Sequence, residues 1–526
     1  MVDRSLLYDM LKRGELPELA KLLAGGKGEF AHAHFDETLI STLPSSTATA
    51  WVTAFTGVPP AVHGVTGNEF FIRKERKFAA PVPTSFSDPE PVLQTYTDGY
   101  VNQLIRVPTV YEKMRERDPN VLVWVAMHQV QRGADKLLVT GRGVIADAFT
   151  AFLQTQLKER LTLQQSKKVY EALDAEVMDT VTDQLDNEDE PLADVITVYL
   201  SGTDQYAHVA ESGPNRARRV FLTSVTDPLM GKLRKALEKR GALKNRYVVV
   251  TSDHGHTEVV DDAEHALSTD KDEDPPGVLT RAGFRLRPFK LEVSEDDDFN
   301  AVLAYQGAIA FVYVADRSAC PKRGQRCDFA RPPRFEQDVL AAADAFYRAN
   351  QEGKYVRQLK GALDMVLARR PRVAGSAAGA SGASRASGSA AGGSSSDAVT
   401  AFQVYVGDGR LVPVPEYLKE HPHPDYIALD DRLRELAVGP AGDRAGDVLL
   451  IANNGNRDRP EERYYFSFRY HSWHGSPSRQ DSEVPLIVAH PALSAARIAQ
   501  KTRAALGAAP RLQKFTDLLL ALRYED

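Results

Sequence analysis

The stretch that most constrains this chain is Tyr247–Thr257, YVVVTSDHGHT. Val248, Val249, Val250 and Thr251 form a β-branched run expected to be a strand buried on both faces, as inside a parallel sheet. The run stops in a cluster of metal-binding side chains. In an open α/β sheet ligands bind in the crevice beyond the carboxyl ends of the strands, so Asp253 and His254 fall where chemistry is expected. Gly255 lets the backbone turn both toward one point. A carboxylate beside an imidazole suits zinc, manganese or iron. The plainer alternative stays open: Asp253 caps a turn and His254 is a satisfied loop histidine.

A second apolar run, ITVYLSGTDQYAH (196–208), also ends in a ligand-like pair. Asp204 and His208 are four residues apart, so one helical turn puts both on the same face. The helix expected over 215–240, with Val220, Phe221, Val225, Leu229, Leu233 and Leu237 on its core side, joins this strand to the Tyr247 strand. Strand, helix, strand in that order is a right-handed crossover that would place both clusters on one edge of one sheet. Further strands are expected at 121–128, 308–315, 448–455 and 484–489, and FQVYVGDGRLVPVP reads as a hairpin with a Gly-Asp-Gly turn. His474, in a polar loop, is a candidate third ligand, although a lone loop histidine is more often structural. The first visible elements are helices, and 258–305 is acidic and loop-rich without periodicity.

Residues 41–71, STLPSSTATAWVTAFTGVPPAVHGVTGNEFF, place Ser45, Ser46 and Thr47 before a helix carrying Trp51, Val52 and Phe55 and closed by Gly57 and Pro59. Hydroxyls at a helix start are usually caps. Their other use is a nucleophile held against a metal, where the helix N-terminus offers N–H groups and a positive dipole to a phosphate.

The 526 residues are 43% hydrophobic, enough for two domains or for one large domain with insertions. A net charge of -6 gives no basic field for a nucleic-acid polymer or an anionic membrane. No apolar run is long enough to span a membrane, and the N-terminus lacks the core of a signal peptide. Read as written, the chain is expected to be soluble and cytoplasmic. Only Cys320 and Cys327 are present, which excludes a four-thiolate zinc site. They are either two free thiols or one small disulfide, and a disulfide would imply an oxidising compartment. The Gly/Ala/Ser tract at 373–397 cannot bury a core and is expected to be a disordered loop insertion, because the segment after it supplies strands and a ligand the first half needs.

The spaced set TLPSSTATAWVTAFTGVPPAVHGVTGN, GTDQYAH, TSDHG and HGSPSRQDSEVPLIV resembles the alkaline phosphatase superfamily, in its type I phosphodiesterase and nucleotide pyrophosphatase branch. The resemblance implies an α/β fold with a mostly parallel central sheet flanked by helices, a three-layer core with an inserted loop or cap region. Residues 1–257 would form the first part of that core. Residues 258–372 would be inserted loops with the core strand 308–315 and a helix, and 398–526 the cap hairpin and the C-terminal completion. Thr47 matches the family's nucleophile, which forms a covalent intermediate, with Ser46 as the alternative. Asn68 matches the asparagine that holds a non-bridging phosphate oxygen. Asp204, His208 and His474 match the ligands of one metal, and Asp253 and His254 two ligands of the other. Two divalent ions, zinc or manganese, are implied, with a small-molecule phosphate ester or phosphonate as substrate.

A threonine hydroxyl is a poor nucleophile near neutral pH unless a metal or base activates it, and two ions can clamp an in-line displacement. One departure stands out: the family's second metal takes another aspartate from a D-G motif at the end of the first strand. Here Asp3 is the only nearby carboxylate, with no strand before it. Either the chain as given lacks its beginning, with a signal peptide for a periplasmic or secreted location, or the second site is impaired. Two further expectations follow. GVPPAVHGVTGNEFF is similar to phosphonoacetate hydrolases, which cleave carbon to phosphorus, and an impaired metal-binding relative would turn nothing over. The sulfatase branch is disfavoured by the absence of its CxPxR motif, since CPKR at Cys320 lacks the spacing.

Overall fold

The computed structural model describes residues 2–24, 29–154, 163–270, 272–371, 401–455 and 459–525. The chain is an α/β protein. The tract at 373–397 lies outside the described residues.

One three-stranded sheet is parallel, with Val123–Ala126 between Lys136–Leu138 and Val195–Val198. A second is antiparallel, with Leu486–Ala489 between Ala33–Asp36 and Val248–Thr251. The expected mostly parallel sheet thus resolves into a parallel part and an antiparallel part. The strand before Asp204 and the strand before Asp253 belong to different sheets, not to one. Each is an edge strand, so Val248–Thr251 is half-buried rather than covered on both faces. The C-terminal Leu486–Ala489 takes the central position, fully buried. The first helix, Arg4–Lys12, is tied to this sheet by Tyr8, whose hydroxyl lies 2.6 Å from the Asp36 carbonyl and accepts the Leu486 N–H at 3.0 Å.

A six-stranded antiparallel sheet runs in the order Leu411–Val412, Gln403–Tyr405, Leu363–Ala368, Val448–Ala452, Ile309–Val314, Ala301–Tyr305. Alternation of side chains across a strand sends Leu303, Tyr305 and Val312 to one face, against the helix Ala341–Glu352. Val302, Ala304 and Phe311 go to the other, against Leu429–Ala437. The Gly-Asp-Gly hairpin forms as expected and extends this sheet. Cys320 and Cys327 are joined as a disulfide and are buried beside Phe329 in the same core. The stretch 258–305, unreadable by periodicity, holds the helix Pro275–Arg281 and the strand Ala301–Tyr305.

Candidate active site

The ends of these elements meet in one buried cluster. Helix Gly202–Val209, starting four residues after Val198, carries Asp204 and His208 on one face. Its start is pinned by Asp174, whose Oδ1 accepts the Gly202 N–H at 3.0 Å. A Cβ at Gly202 would come within 2.6 Å of Phe221 and 2.8 Å of the Asp174 carboxylate, so only glycine lets the helix begin this deep. Asp253 and His254 follow the strand Val248–Thr251. Gly255 then presses against the Gln480 carbonyl, where a Cβ would stand 2.0 Å away, and donates its N–H to the Asp481 carbonyl at 2.9 Å. That tight turn brings His256 back into the cluster. The short ladder of Thr257–Glu258 with Ser472–Trp473 delivers His474 opposite.

Thr47 is the first residue of the helix Thr47–Thr56, and its hydroxyl lies 3.1 Å from His254 Nε2. Ser46 points elsewhere, its hydroxyl 3.5 Å from that of Thr49, and it makes no side-chain cap bond. Asn68 Oδ1 accepts the Ala48 N–H at 2.9 Å, which leaves the amide NH2 as its donating end. Gln306, from the end of the six-stranded sheet, accepts the Asn68 backbone N–H at 2.6 Å. The six-stranded sheet therefore helps to set the site beside Thr47.

Two sets of ligand atoms come close enough to share an ion: Asp204 with His254 and His474, and Asp204 with His208 and His256. Asp204 is common to both. The grouping expected from sequence, Asp204 with His208 and His474 and Asp253 with His254, differs from this convergence. Asp253 Oδ2 stands 3.3 Å from His254 Nε2, beside the first set. Asp3 is the N-cap of the first helix, accepting the Leu6 N–H at 2.9 Å, and pairs with the buried Arg218 at 3.1 Å.

The imidazoles have one tautomer in common. Nδ1 of His208 lies 2.7 Å from the Ser472 carbonyl, that of His254 2.9 Å from the Gly255 carbonyl and that of His474 3.1 Å from the Ser45 carbonyl. A carbonyl can only accept, so each Nδ1 carries the proton and each Nε2 keeps its lone pair. Nδ1 of His256 lies 3.1 Å from the Ser472 hydroxyl, whose own proton goes to the Ala207 carbonyl at 2.8 Å, so the same holds there. Burial lowers the pKa of all four, that of His474 to about 3. Burial also raises Asp253 to about 7, with the Asp204 charge adding to it. The result is a pocket of neutral nitrogen and carboxylate acceptors with their outer N–H groups already bonded, the donor set a divalent cation requires. The residues fit a metal.

The type I phosphodiesterase / nucleotide pyrophosphatase family model matches residues 4–342. The chain belongs to that family. Its members are phosphoric ester hydrolases. The match spans Thr47, Asn68, Asp204, His208, Asp253, His254 and His256 and stops before His474. Solved structures similar to this chain include murine ectonucleotide pyrophosphatase / phosphodiesterase 5, 11% identical, covering 99% of this chain and 92% of that one with a TM-score of 0.48. Phosphonoacetate hydrolase from Sinorhizobium meliloti 1021, in complex with phosphonoformate, is 16% identical, with the same coverages and a TM-score of 0.42. No curated protein matches the chain by sequence.

His256 was not singled out from the sequence, although it sits two residues past His254 in SDHGH. The signal was there: Gly255 reverses the chain, so the residue after it can face the same point as the residue before it. A pocket of about 520 Å³ lies nearby, lined by Glu211, Glu258, Asp261, Arg469 and His471. Its three carboxylates make it a poor seat for phosphate. Among the described residues no helix is long and apolar enough to cross a membrane.

Proposed function

We propose that this chain hydrolyses phosphodiester or pyrophosphate bonds of small nucleotide-like substrates, with Thr47 as nucleophile and two divalent ions, zinc or manganese, held by Asp204, His208, Asp253, His254 and His474. The observation that carries the reading is the Thr47 hydroxyl 3.1 Å from His254 Nε2, at the rim of an all-acceptor cluster. The ions supply Lewis acidity that lowers the hydroxyl pKa and offsets charge on the leaving oxygen. Thr47 Oγ attacks phosphorus and gives up its proton to solvent, while the bond to the leaving oxygen breaks, its electron pair departs with that group and the released oxygen takes up a proton from solvent. A water then cleaves the phosphothreonine ester and restores the hydroxyl. The free amide of Asn68 and the N–H groups at the helix start face charge on the non-bridging oxygens. Ser46, turned toward Thr49, takes no part. The same reading treats 1–257 as the first part of the catalytic core, 258–372 as insertion and 398–526 as its completion, supported by the central place of Leu486–Ala489 between Ala33–Asp36 and Val248–Thr251.

The test is turnover of a chromogenic phosphodiester by metal-reconstituted protein. Turnover that vanishes on chelation, returns with zinc or manganese and is lost in Thr47→Ala, while metal content is kept, supports the reading. Turnover of phosphonoacetate with none of the diester would move the activity to carbon–phosphorus cleavage. No turnover of either at full metal load would make the chain a binding protein.

A further inference from the structure

We propose that Gln306 and Glu69 are positioning residues for phosphoryl transfer, forming a buried clamp between the six-stranded sheet and the Thr47 helix that sets the direction of the Asn68 amide. The proposal rests on the diesterase reading above, in which Asn68 meets a non-bridging phosphate oxygen, and names what holds it there.

Asn68 is anchored at two points. Its Oδ1 accepts the Ala48 N–H at 2.9 Å, beside the nucleophile, and its own backbone N–H goes to Gln306 Oε1 at 2.6 Å. The first contact alone would let the residue pivot about one hydrogen bond. The second fixes its backbone, and with both ends held the NH2 has one direction. Gln306 follows the strand Ala301–Tyr305 at the edge of the six-stranded sheet, and it is fully buried. Both ends of its amide are used: Oε1 takes the Asn68 N–H, and Nε2 donates to the Glu69 carbonyl. The approach is close. A Cβ on Gly67 would stand 2.2 Å from Gln306 Oε1, so only glycine lets the backbone before Asn68 pass directly against this amide.

Glu69 closes the ring. Its buried carboxyl accepts at both oxygens: Oε1 takes the Thr84 N–H at 2.7 Å, the Ser85 N–H at 2.8 Å and the Ser85 hydroxyl at 2.9 Å, and Oε2 takes the Tyr305 N–H at 3.1 Å. Thr84 in turn donates its hydroxyl to the Tyr305 carbonyl at 2.6 Å. Segments 67–69, 84–85 and 305–306 are thereby locked to one another. A buried carboxyl or amide is unfavourable unless its hydrogen bonds are met, so a network this fully bonded holds one arrangement. That matters at Asn68, because a donor stabilises developing charge on a phosphate oxygen best when it is already aimed there.

The experiment uses the full metal-loaded chain and a chromogenic phosphorothioate diester, in which sulfur replaces one non-bridging oxygen, separated into its two diastereomers. The wild type is expected to turn the diastereomers over at different rates. Asn68→Ala should narrow that ratio, because the amide that tells the two oxygens apart is gone. Gln306→Met, which keeps the side-chain length and removes both polar atoms, should lower kcat on the oxygen diester roughly tenfold, part of the ~100-fold typical of losing such a donor, with KM within about threefold. It should also narrow the diastereomer ratio in the same direction, at unchanged metal content. In the Asn68→Ala background the same change should cost less than about twofold, since it then has no amide to position. Should Gln306→Met fail to fold, Glu69→Gln, which sets an amide nitrogen against N–H donors, should give the same narrowing. A loss of kcat that keeps the wild-type ratio, or that multiplies in full with Asn68→Ala, marks a merely structural contact and overturns the proposal, as does wild-type turnover in folded Gln306→Met. A wild type that turns over no diester at all would instead sink the diesterase reading and this proposal with it.

Discussion

At the scale of single residues, the site depends on side chains that orient others. Asp174 is fully buried, with Oδ1 bonded to the Gly202 N–H and Oδ2 without a hydrogen-bond partner among the described residues, and burial pushes its pKa up to about 7. An unfolded aspartate releases its proton near pH ~4. Between those values the unfolded chain binds fewer protons than the folded one, so this group's contribution to stability falls as pH rises from about 4 to about 7 and levels off above. Asp174→Asn should therefore gain on the wild type through that window in denaturant unfolding, whereas a stability difference that ignores pH would contradict this account. Residue by residue, the sequence carried most of the site. Asp204, His208, Asp253, His254 and His474 share one cluster because strand ends and a helical turn have predictable directions. Which of them come within ligand distance of one another was not legible, because it depends on which Nε2 atoms meet across elements far apart in the chain. His256 was hidden for the same reason: its direction depends on Gly255 lying against Gln480.

At the scale of elements, the six-stranded sheet is more than a neighbour of the site. Its Tyr305–Ile309 turn lies against the loop that carries His474, with Ala308 donating its N–H to the His474 carbonyl at 3.0 Å. Gly307 has φ +86°, and a Cβ there would stand 1.8 Å from Trp473 Nε1 and 2.1 Å from the His474 carbonyl. Gly307→Ala should displace His474 and lower metal affinity by more than tenfold, at a stability cost of ~1–3 kcal/mol from overpacking. Metal titration alongside thermal unfolding checks it; retained affinity would show that the turn does not set His474. Strands with strong β-branched runs were legible in sequence, as at 309–314 and 448–452. Ala33–Asp36 and Ala301–Tyr305 were not, being short, mixed in composition and defined by their partners rather than by their own propensity.

At the scale of the whole molecule, the C-terminal segment completes what the N-terminal segment begins. Leu486–Ala489 separates Ala33–Asp36 from Val248–Thr251, so neither has a described strand partner without it. A chain ending at residue 483 should lose cooperative unfolding altogether rather than shed a tail; a truncated protein with a sharp, native-like transition would contradict that. The α/β class and the order of the motifs were legible from one sequence. The division into a parallel and an antiparallel sheet was not, because strand order reflects pairing between segments hundreds of residues apart, and local pattern does not encode it. The central claim is that Thr47 attacks phosphorus at a metal cluster built from both ends of the chain. Its most direct test is rapid acid quench of zinc-loaded protein with a phosphodiester substrate, followed by peptide mass mapping. The account predicts a phosphoryl or nucleotidyl adduct on Thr47, absent without metal; substrate turnover with no adduct on that residue at any quench time, or with the adduct on Ser46, would contradict it.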